Sequence, residues 1–315
     1  MSLKVRIVIV GFSSFFWMLL PMQVKAYSTV RETVKTVDSI NIDIEVMMPE
    51  KSGSFPVLFF VHGGGWDHGT SKTTPGPQNL SSAPMLCDAL GVVFIGVDYR
   101  CKNQNGDFGK ALEDVMDVYQ YARKNAKRFK CDFANFGFAG ASAGTPLSAI
   151  TAQNLPDCKL YIGIYGKYDF VTPGLGGYWP STETLNKYKI ITAADKFKAS
   201  AVKQIRSNPP ATLLIHGDAD VTTGYQQSLA FADSIGQKGG FVRTLILPGI
   251  KHGFYNPKGG KAFAESTMEI AEHLIRFFCI QDADKKSITS KLKICFEEDP
   301  STKNRKLTAN PEMLN

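Results

Sequence analysis

Apolar residues along this chain follow two rhythms. In "NIDIEVMMP" they alternate with polar ones, the mark of a strand with one covered face, and "STVRETVKTV" just before it also reads as a strand. "PVLFFVH" and "VVFIGVDY" are instead continuous apolar runs rich in Val, Phe and Ile. Such runs suit strands covered on both faces, as in a parallel sheet. "FANFGFAG", "KLYIGIYG", "ATLLIHGD" and "FVRTLILPG" predict further strands. Between them the period lengthens. "ALEDVMDVYQYARKNAKRF" places Leu112, Val115, Met116, Tyr119 and Ala122 at three- and four-residue steps, an amphipathic helix. "SAPMLCDALG", "SAGTPLSAITAQ", "GYQQSLAFADSIGQKG" and "KAFAESTMEIAEHLIRFF" also read as helices. Strands alternating with helices predict the α/β class, with a doubly wound, mostly parallel sheet. Ligands of such sheets sit at the carboxyl ends of the strands.

Three stretches break the rhythm. Residues 166–208 are too long for a plain connection and are expected to form a cap or lid over the site. Residues 280–315 are polar and charged, which suits a surface extension or a disordered tail. The first 26 residues carry Lys4 and Arg6, then the apolar run "IVIVGFSSFFWMLLPM", then Val24 and Ala26 as small residues ahead of Tyr27. That layout predicts a secretory signal peptide cut after Ala26, and hence a secreted or periplasmic protein. An uncleaved anchor is the alternative, although the run is short for a span and contains Ser13, Ser14 and Pro21. Residues 27–279 then form the main domain. No internal repeat is visible.

Composition changes this picture little. A chain of 315 residues, 43% hydrophobic, accommodates one α/β domain with a sizeable core. The formal charge is +7 and falls to +4 without Lys4, Arg6 and Lys25. The remaining charges are scattered, so a nucleic-acid face is not expected. The six cysteines form no CxxC pair, and neither a zinc site nor a cofactor is implied. An exported chain with an even number of cysteines can carry disulfides, but spacing alone does not assign them.

The candidate chemistry lies in four places. "GASAG", Gly140 to Gly144, follows a predicted strand and opens a predicted helix, the setting of a G-x-S-x-G nucleophile elbow. There a sharp turn exposes the hydroxyl of Ser142. That hydroxyl needs a base. Of five histidines, His252 in "LPGIKHGFY" lies just past the last predicted strand, on the same end of the sheet. His62 and His216 precede glycines and are expected to shape turns; His68 sits in a loop and His273 within the final helix, with a surface or packing role. The imidazole in turn needs an acid. "LLIHGDADVT" offers Asp218 and Asp220, and spacing does not choose between them. Finally, "HGGG" ends the third strand. Bare backbone N–H groups there, with that of Ala143, would suit an oxyanion, where one donor contributes about 2.7–4 kcal/mol.

Taken together, "VHGGGW", "VDYR", "GASAG", "IHGDAD" and "GIKHGF" resemble the α/β-hydrolase superfamily in order and spacing. Within it they are most similar to the carboxylesterases of the hormone-sensitive-lipase-like and feruloyl/acetylxylan-esterase-like groups. The resemblance spans about residues 40 to 279. It implies an eight-stranded α/β-hydrolase fold with helices on both faces, Ser142 as nucleophile and His252 as base. It favours Asp220 over Asp218 as the acid, and Gly64, Gly65 and Ala143 as oxyanion donors. It implies a serine esterase acting on short-chain acyl or carbohydrate-linked esters, without cofactor or metal. An amidase or peptidase of the same fold, or a non-catalytic binding protein on that scaffold, remain the alternatives. The family's strand order would make the strands begun by Cys131 and Cys158 neighbours, which suggests a bridge between them, and Cys279 with Cys295 would pin the tail. One departure stands out. Thr145 and Pro146 follow the elbow, where the family often has another glycine, and Thr145 would narrow the acyl side of the pocket.

Overall fold

Each of the eight stretches read as a strand forms one, and all eight join one sheet. The computed structural model describes residues 27–72, 80–256 and 260–290. Its strands are β1 (Tyr27–Val37), β2 (Ile40–Pro49), β3 (Phe55–Val61), β4 (Val93–Val97), β5 (Cys131–Ala141), β6 (Leu160–Ile164), β7 (Ala211–Gly217) and β8 (Val242–Leu247). They lie in the order β1-β2-β4-β3-β5-β6-β7-β8. The pairs β1/β2 and β2/β4 are antiparallel and the others parallel. The helices are α1 (Ala83–Leu90), α2 (Phe108–Lys124), α3 (Gly144–Asn154), α4 (Thr182–Lys187), α5 (Ala193–Ala199), α6 (Gln226–Gln237) and α7 (Gly260–Phe277).

The unbroken apolar runs are explained by two hydrophobic layers. Within β3, Val57, Phe59 and Val61 enter one cluster with Val115 and Val118 of α2, Leu147 of α3 and Phe231 of α6. Leu58 and Phe60 enter the other, with Leu86 and Leu90 of α1 and Ile270 and Leu274 of α7. Successive strand residues point to opposite faces, so a strand covered on both sides must be apolar throughout. The alternation in β2 holds only at its start. From Ile44 to Pro49 every residue is buried, because Met47 joins the layer that α1 covers.

Two cysteine expectations need revision. Cys131 and Cys158 are buried free thiols, not a bridge. Their strands are neighbours, as expected, but the register is wrong for a bond. Gly137 pairs with Leu160, and the Lys159 N–H donates to the Phe136 carbonyl. Cys158 is therefore about level with residue 135, four positions beyond Cys131. At roughly 3.3 Å per residue that is about 13 Å, well past the ~7 Å Cα limit of a disulfide. Burial pushes both thiols up to about 12. Cys279 is an exposed free thiol, and its suggested partner Cys295 lies outside the described residues. So does the suggested signal peptide, residues 1–26. Among the described residues, no helix is long and apolar enough to cross a membrane. The tail expected after Cys279 is in part packed. Residues 285–290 are helical, the Asp284 N–H donates to the Ala89 carbonyl, and Ile288 is fully buried in the α1/α7 layer.

Candidate active site

Ser142 sits between β5 and α3 with φ of 50°. An L-residue rarely adopts this left-handed conformation, and it persists only where neighbours hold it. Here the Ser142 N–H donates to the Ile164 carbonyl (3.0 Å), and the Ser142 carbonyl accepts from the Thr145 N–H (3.1 Å) and Oγ1 (2.6 Å). The flanking glycines answer to close packing. A Cβ on Gly140 would stand 2.3 Å from Ser148 Oγ, and one on Gly144 2.2 Å from the Val61 carbonyl oxygen. Thr145 is fully buried, so it braces the turn and does not narrow a pocket as its position suggested.

The glycine-rich loop after β3 lies against this turn. A Cβ on Gly63 would press 3.2 Å from Ser142 Cβ, and one on Gly64, whose φ is 105°, would fall 1.9 Å from the His68 carbonyl oxygen. Among the described residues, the N–H groups of Gly64, Gly65 and Ala143 are assigned no acceptor. Trp66 fastens the loop in place. It is fully buried, holds φ of 61°, and its Nε1–H donates to the Ala143 carbonyl (2.7 Å).

Two loops bring in the other groups. The loop after β8 is stapled to the loop after β7. Asp218 and Ala219 donate their N–H groups to the Leu247 and Ile250 carbonyls, and Asp218 Oδ1 accepts from the Gly249 N–H (2.6 Å). Asp218 is thus a brace. His252, carried on that loop, places Nε2 2.9 Å from Ser142 Oγ and Nδ1 2.6 Å from Asp220 Oδ2. With a carboxylate at Nδ1, that nitrogen carries the proton, and Nε2 is free to accept the serine proton. The Tyr165 ring, at φ of 41°, stands 4.7 Å from the imidazole.

Asp220 has more partners than its place in the sequence suggested. Its Oδ1 accepts from the Thr222 and Thr223 N–H groups (2.8 and 2.9 Å). Its Oδ2 also faces His216 Nε2 at 3.2 Å, and the same nitrogen lies 2.8 Å from the Thr223 carbonyl. Two acceptors at Nε2 place the His216 proton there, so Nδ1 accepts from the Ser228 hydroxyl (2.8 Å). Burial opposes ionisation of Asp220, but hydrogen bonds from His216 and His252 outweigh it and hold the carboxyl well below the usual range. His216 was expected only to shape a turn; it binds the acid.

The other histidines stand apart from this cluster. His62 is buried, stacks on Tyr99 and approaches the Gly63 carbonyl with Nδ1 (2.7 Å); burial lowers it to about 4. His68 is exposed in its loop. His273 packs inside, with Nε2 3.0 Å from the Ala211 carbonyl, and burial again lowers it to about 4. Among the described residues, no group of three or more His, Cys, Asp or Glu side chains is placed to hold a metal ion.

Residues 166–208 pack over the same end of the sheet. Tyr188 stacks on Trp66 with ring centres 4.4 Å apart, and Trp179 and Phe170 meet Trp66 at 4.8 and 6.0 Å. Sequence reasoning missed the Trp66, Tyr165 and His216 contacts. Trp66 and His216 lay inside recognised motifs, but no local signal named their partners.

A family model described as BD-FAE matches residues 42–235. Esterase LipC of Mycobacterium tuberculosis (strain ATCC 25618 / H37Rv) is 29% identical over 227 residues, covering 66% of this chain and 54% of that protein. This chain thus spans about half the length of the curated relative it matches. Among solved structures, the thermophilic esterase Est2 of Thermogutta terrifontis superposes with a TM-score of 0.64 at 21% identity, covering 78% of this chain and 91% of that one. The acetyl ester-xyloside bifunctional hydrolase of Caldicellulosiruptor lactoaceticus gives 0.67 at 16% identity, covering 80% and 97%. At such identities these structures speak for the fold alone, and the fold is that of the α/β-hydrolases, as the motifs implied.

Proposed function

This chain belongs to the BD-FAE family, and on that premise we propose that it is a serine carboxylesterase, an ester hydrolase without cofactor. The observation that carries the proposal is the continuous line from Ser142 Oγ through His252 to Asp220, at 2.9 and 2.6 Å. In this reading His252 Nε2 takes the hydroxyl proton as Ser142 Oγ attacks the ester carbonyl. Asp220 holds the imidazole tautomer and stabilises the imidazolium. The N–H groups of Gly64, Gly65 and Ala143 receive the oxyanion. Collapse of the tetrahedral intermediate gives His252's proton to the departing alkoxide, so an alcohol leaves and an acyl ester remains on Ser142. Water, deprotonated by His252, then attacks the acyl carbonyl and releases the carboxylic acid.

The substrates proposed are short-chain acyl or carbohydrate-linked esters. The partly exposed rings of Trp179 and Phe170, packed on the buried Trp66 beside the oxyanion loop, support this, since such rings suit sugar faces and small acyl groups alike. Residues 166–208, which carry Trp179 and Phe170, act as the cap, and residues 27–279 as the catalytic domain. Export is proposed on the charged start, apolar run and small residues of positions 1–26.

Hydrolysis of p-nitrophenyl acetate and butyrate, beside the Ser142→Ala variant, tests the reading. Activity in the parent that vanishes in the folded variant is expected, together with labelling of Ser142 by a fluorophosphonate. Background rates in both proteins and no labelling would overturn it.

A further inference from the structure

Lys167 is a cation in an unusual place. It lies three residues past the end of β6, the strand beside the nucleophile's own. Its N–H donates to Thr145 Oγ1 (3.1 Å), the hydroxyl that braces the Ser142 carbonyl. Its backbone is therefore two hydrogen bonds from the nucleophile.

Its side chain reaches the same rings. Nζ lies 5.2 Å from the centre of the Phe170 ring. Phe170 stacks on Trp66, Trp66 meets Trp179, and Trp179 Nε1 stands 3.6 Å from where a Gly65 Cβ would be. The ammonium thus lies at one end of a ring cluster, packed on the buried Trp66, whose other end stands beside the candidate oxyanion loop.

Among the described residues, Nζ has that ring and no ion pair. The one charge that acts on it belongs to Asp169. That carboxylate is turned to its own loop, where Oδ1 accepts from the Val171 and Thr172 N–H groups (2.7 and 3.0 Å). Burial accordingly lowers the Lys167 ammonium from its ordinary range. A partly buried ammonium has three donors to satisfy, and a ring face satisfies none of them as an acceptor would. The chain holds this charge on a segment tied to the nucleophile turn without supplying its partner among the described residues.

We propose that Lys167 is the charge-reading element of the substrate pocket and that the preferred substrates are esters bearing a carboxylate, which this ammonium receives. The proposal rests on the esterase reading of the same site and adds the substrate class to it.

Two matched pairs test it. Monoethyl glutarate against ethyl pentanoate places the charge on the acyl side. 4-Acetoxybenzoate against phenyl acetate places it on the alcohol side. For the parent, kcat/KM is expected to favour the charged member of one pair by on the order of tenfold, as charge-assisted hydrogen bonds do. The charged-to-neutral ratio should collapse in Lys167→Met and persist in Lys167→Arg. Calorimetric binding of both pairs to Ser142→Ala, with and without Lys167→Met, reads the subsite independently of turnover. Lys167-dependent binding without hydrolysis of any ester by the parent would sink the esterase reading and keep the subsite. Hydrolysis with no charge preference in either pair, or with equal losses for both members in Lys167→Met, would overturn the subsite and leave the esterase reading standing.

Discussion

The two ends of the parallel sheet are built on different terms. At the carboxyl ends, Trp66, Ser142 and Tyr165 all hold positive φ just past β3, β5 and β6. Polar side chains converge there, and backbone N–H groups of the glycine loop are left without acceptors among the described residues. At the amino ends, long cations close off the carbonyls. Arg206 donates to the carbonyls of Leu155, Cys158 and Asn208, and Lys130 Nζ to those of Pro49 and Lys51. Strain is not confined to one end, since Lys130 holds φ of 53° just before β5 and Gln153 Nε2 is buried without a partner among the described residues; what sets the carboxyl ends apart is the convergence of Ser142, His252 and Asp220 beside open backbone donors.

Substitutions at each end should separate activity from stability. The largest effect is expected from Ser142→Ala, which should lower ester kcat/KM by roughly 10⁴–10⁶ with little change in melting temperature. Ester hydrolysis and calorimetry on one preparation would show both. Gly64→Ala should come next. Its Cβ would meet the His68 carbonyl, so the loop must move, and a loss of about 10²–10³ in kcat is expected. An unchanged kcat would remove Gly64 from the oxyanion site.

His216→Ala crosses the comparison, because this side chain is buried yet touches the acid. It leaves Asp220 Oδ2 one donor short and takes away the His216 acceptor of the Ser228 hydroxyl. About 1–3 kcal/mol of stability should go. If His216 positions Asp220, kcat should also fall roughly tenfold with KM held, and the pH profile should shift. A stability loss alone would mark it as packing.

Arg206→Ala should cost about 1–3 kcal/mol in denaturant unfolding and leave kcat/KM of the folded enzyme as it was. A fall in activity there would break the contrast between the ends.

The smallest effect is in pH. One buried histidine lies at each end: His62 past β3, and His273 against the Ala211 carbonyl where β7 begins. Burial lowers both to about 4. The unfolded chain takes up protons near pH 6.5 that the native fold refuses, so their contribution is full above that pH and is lost as pH falls toward 4. Between pH 7 and 6 each should cost under about 1 kcal/mol. His273→Gln should flatten the acid side of a plot of melting temperature against pH without altering activity. An unchanged slope would show that His273 does not remain neutral when buried.

Much of this molecule is legible from the chain alone, for local reasons. Continuous apolar runs must be strands covered on both faces, so the sheet and its two helical layers follow. "GASAG" and "HGGG" are legible because close packing admits no Cβ at Gly140, Gly144 or Gly64. Other features depend on register and on loops that meet from distant positions. Cys131 and Cys158 begin neighbouring strands, yet the pairing of Gly137 with Leu160 sets them four residues out of step. Asp218 and Asp220 are two residues apart and chemically alike. Only the clasp between the β7 and β8 loops turns one into a brace and the other toward His252. His216 meets Asp220 four residues on and Lys167 Nζ meets the Phe170 ring three residues on, but whether such near neighbours touch depends on the loop conformation that the tertiary packing fixes, which no local pattern records.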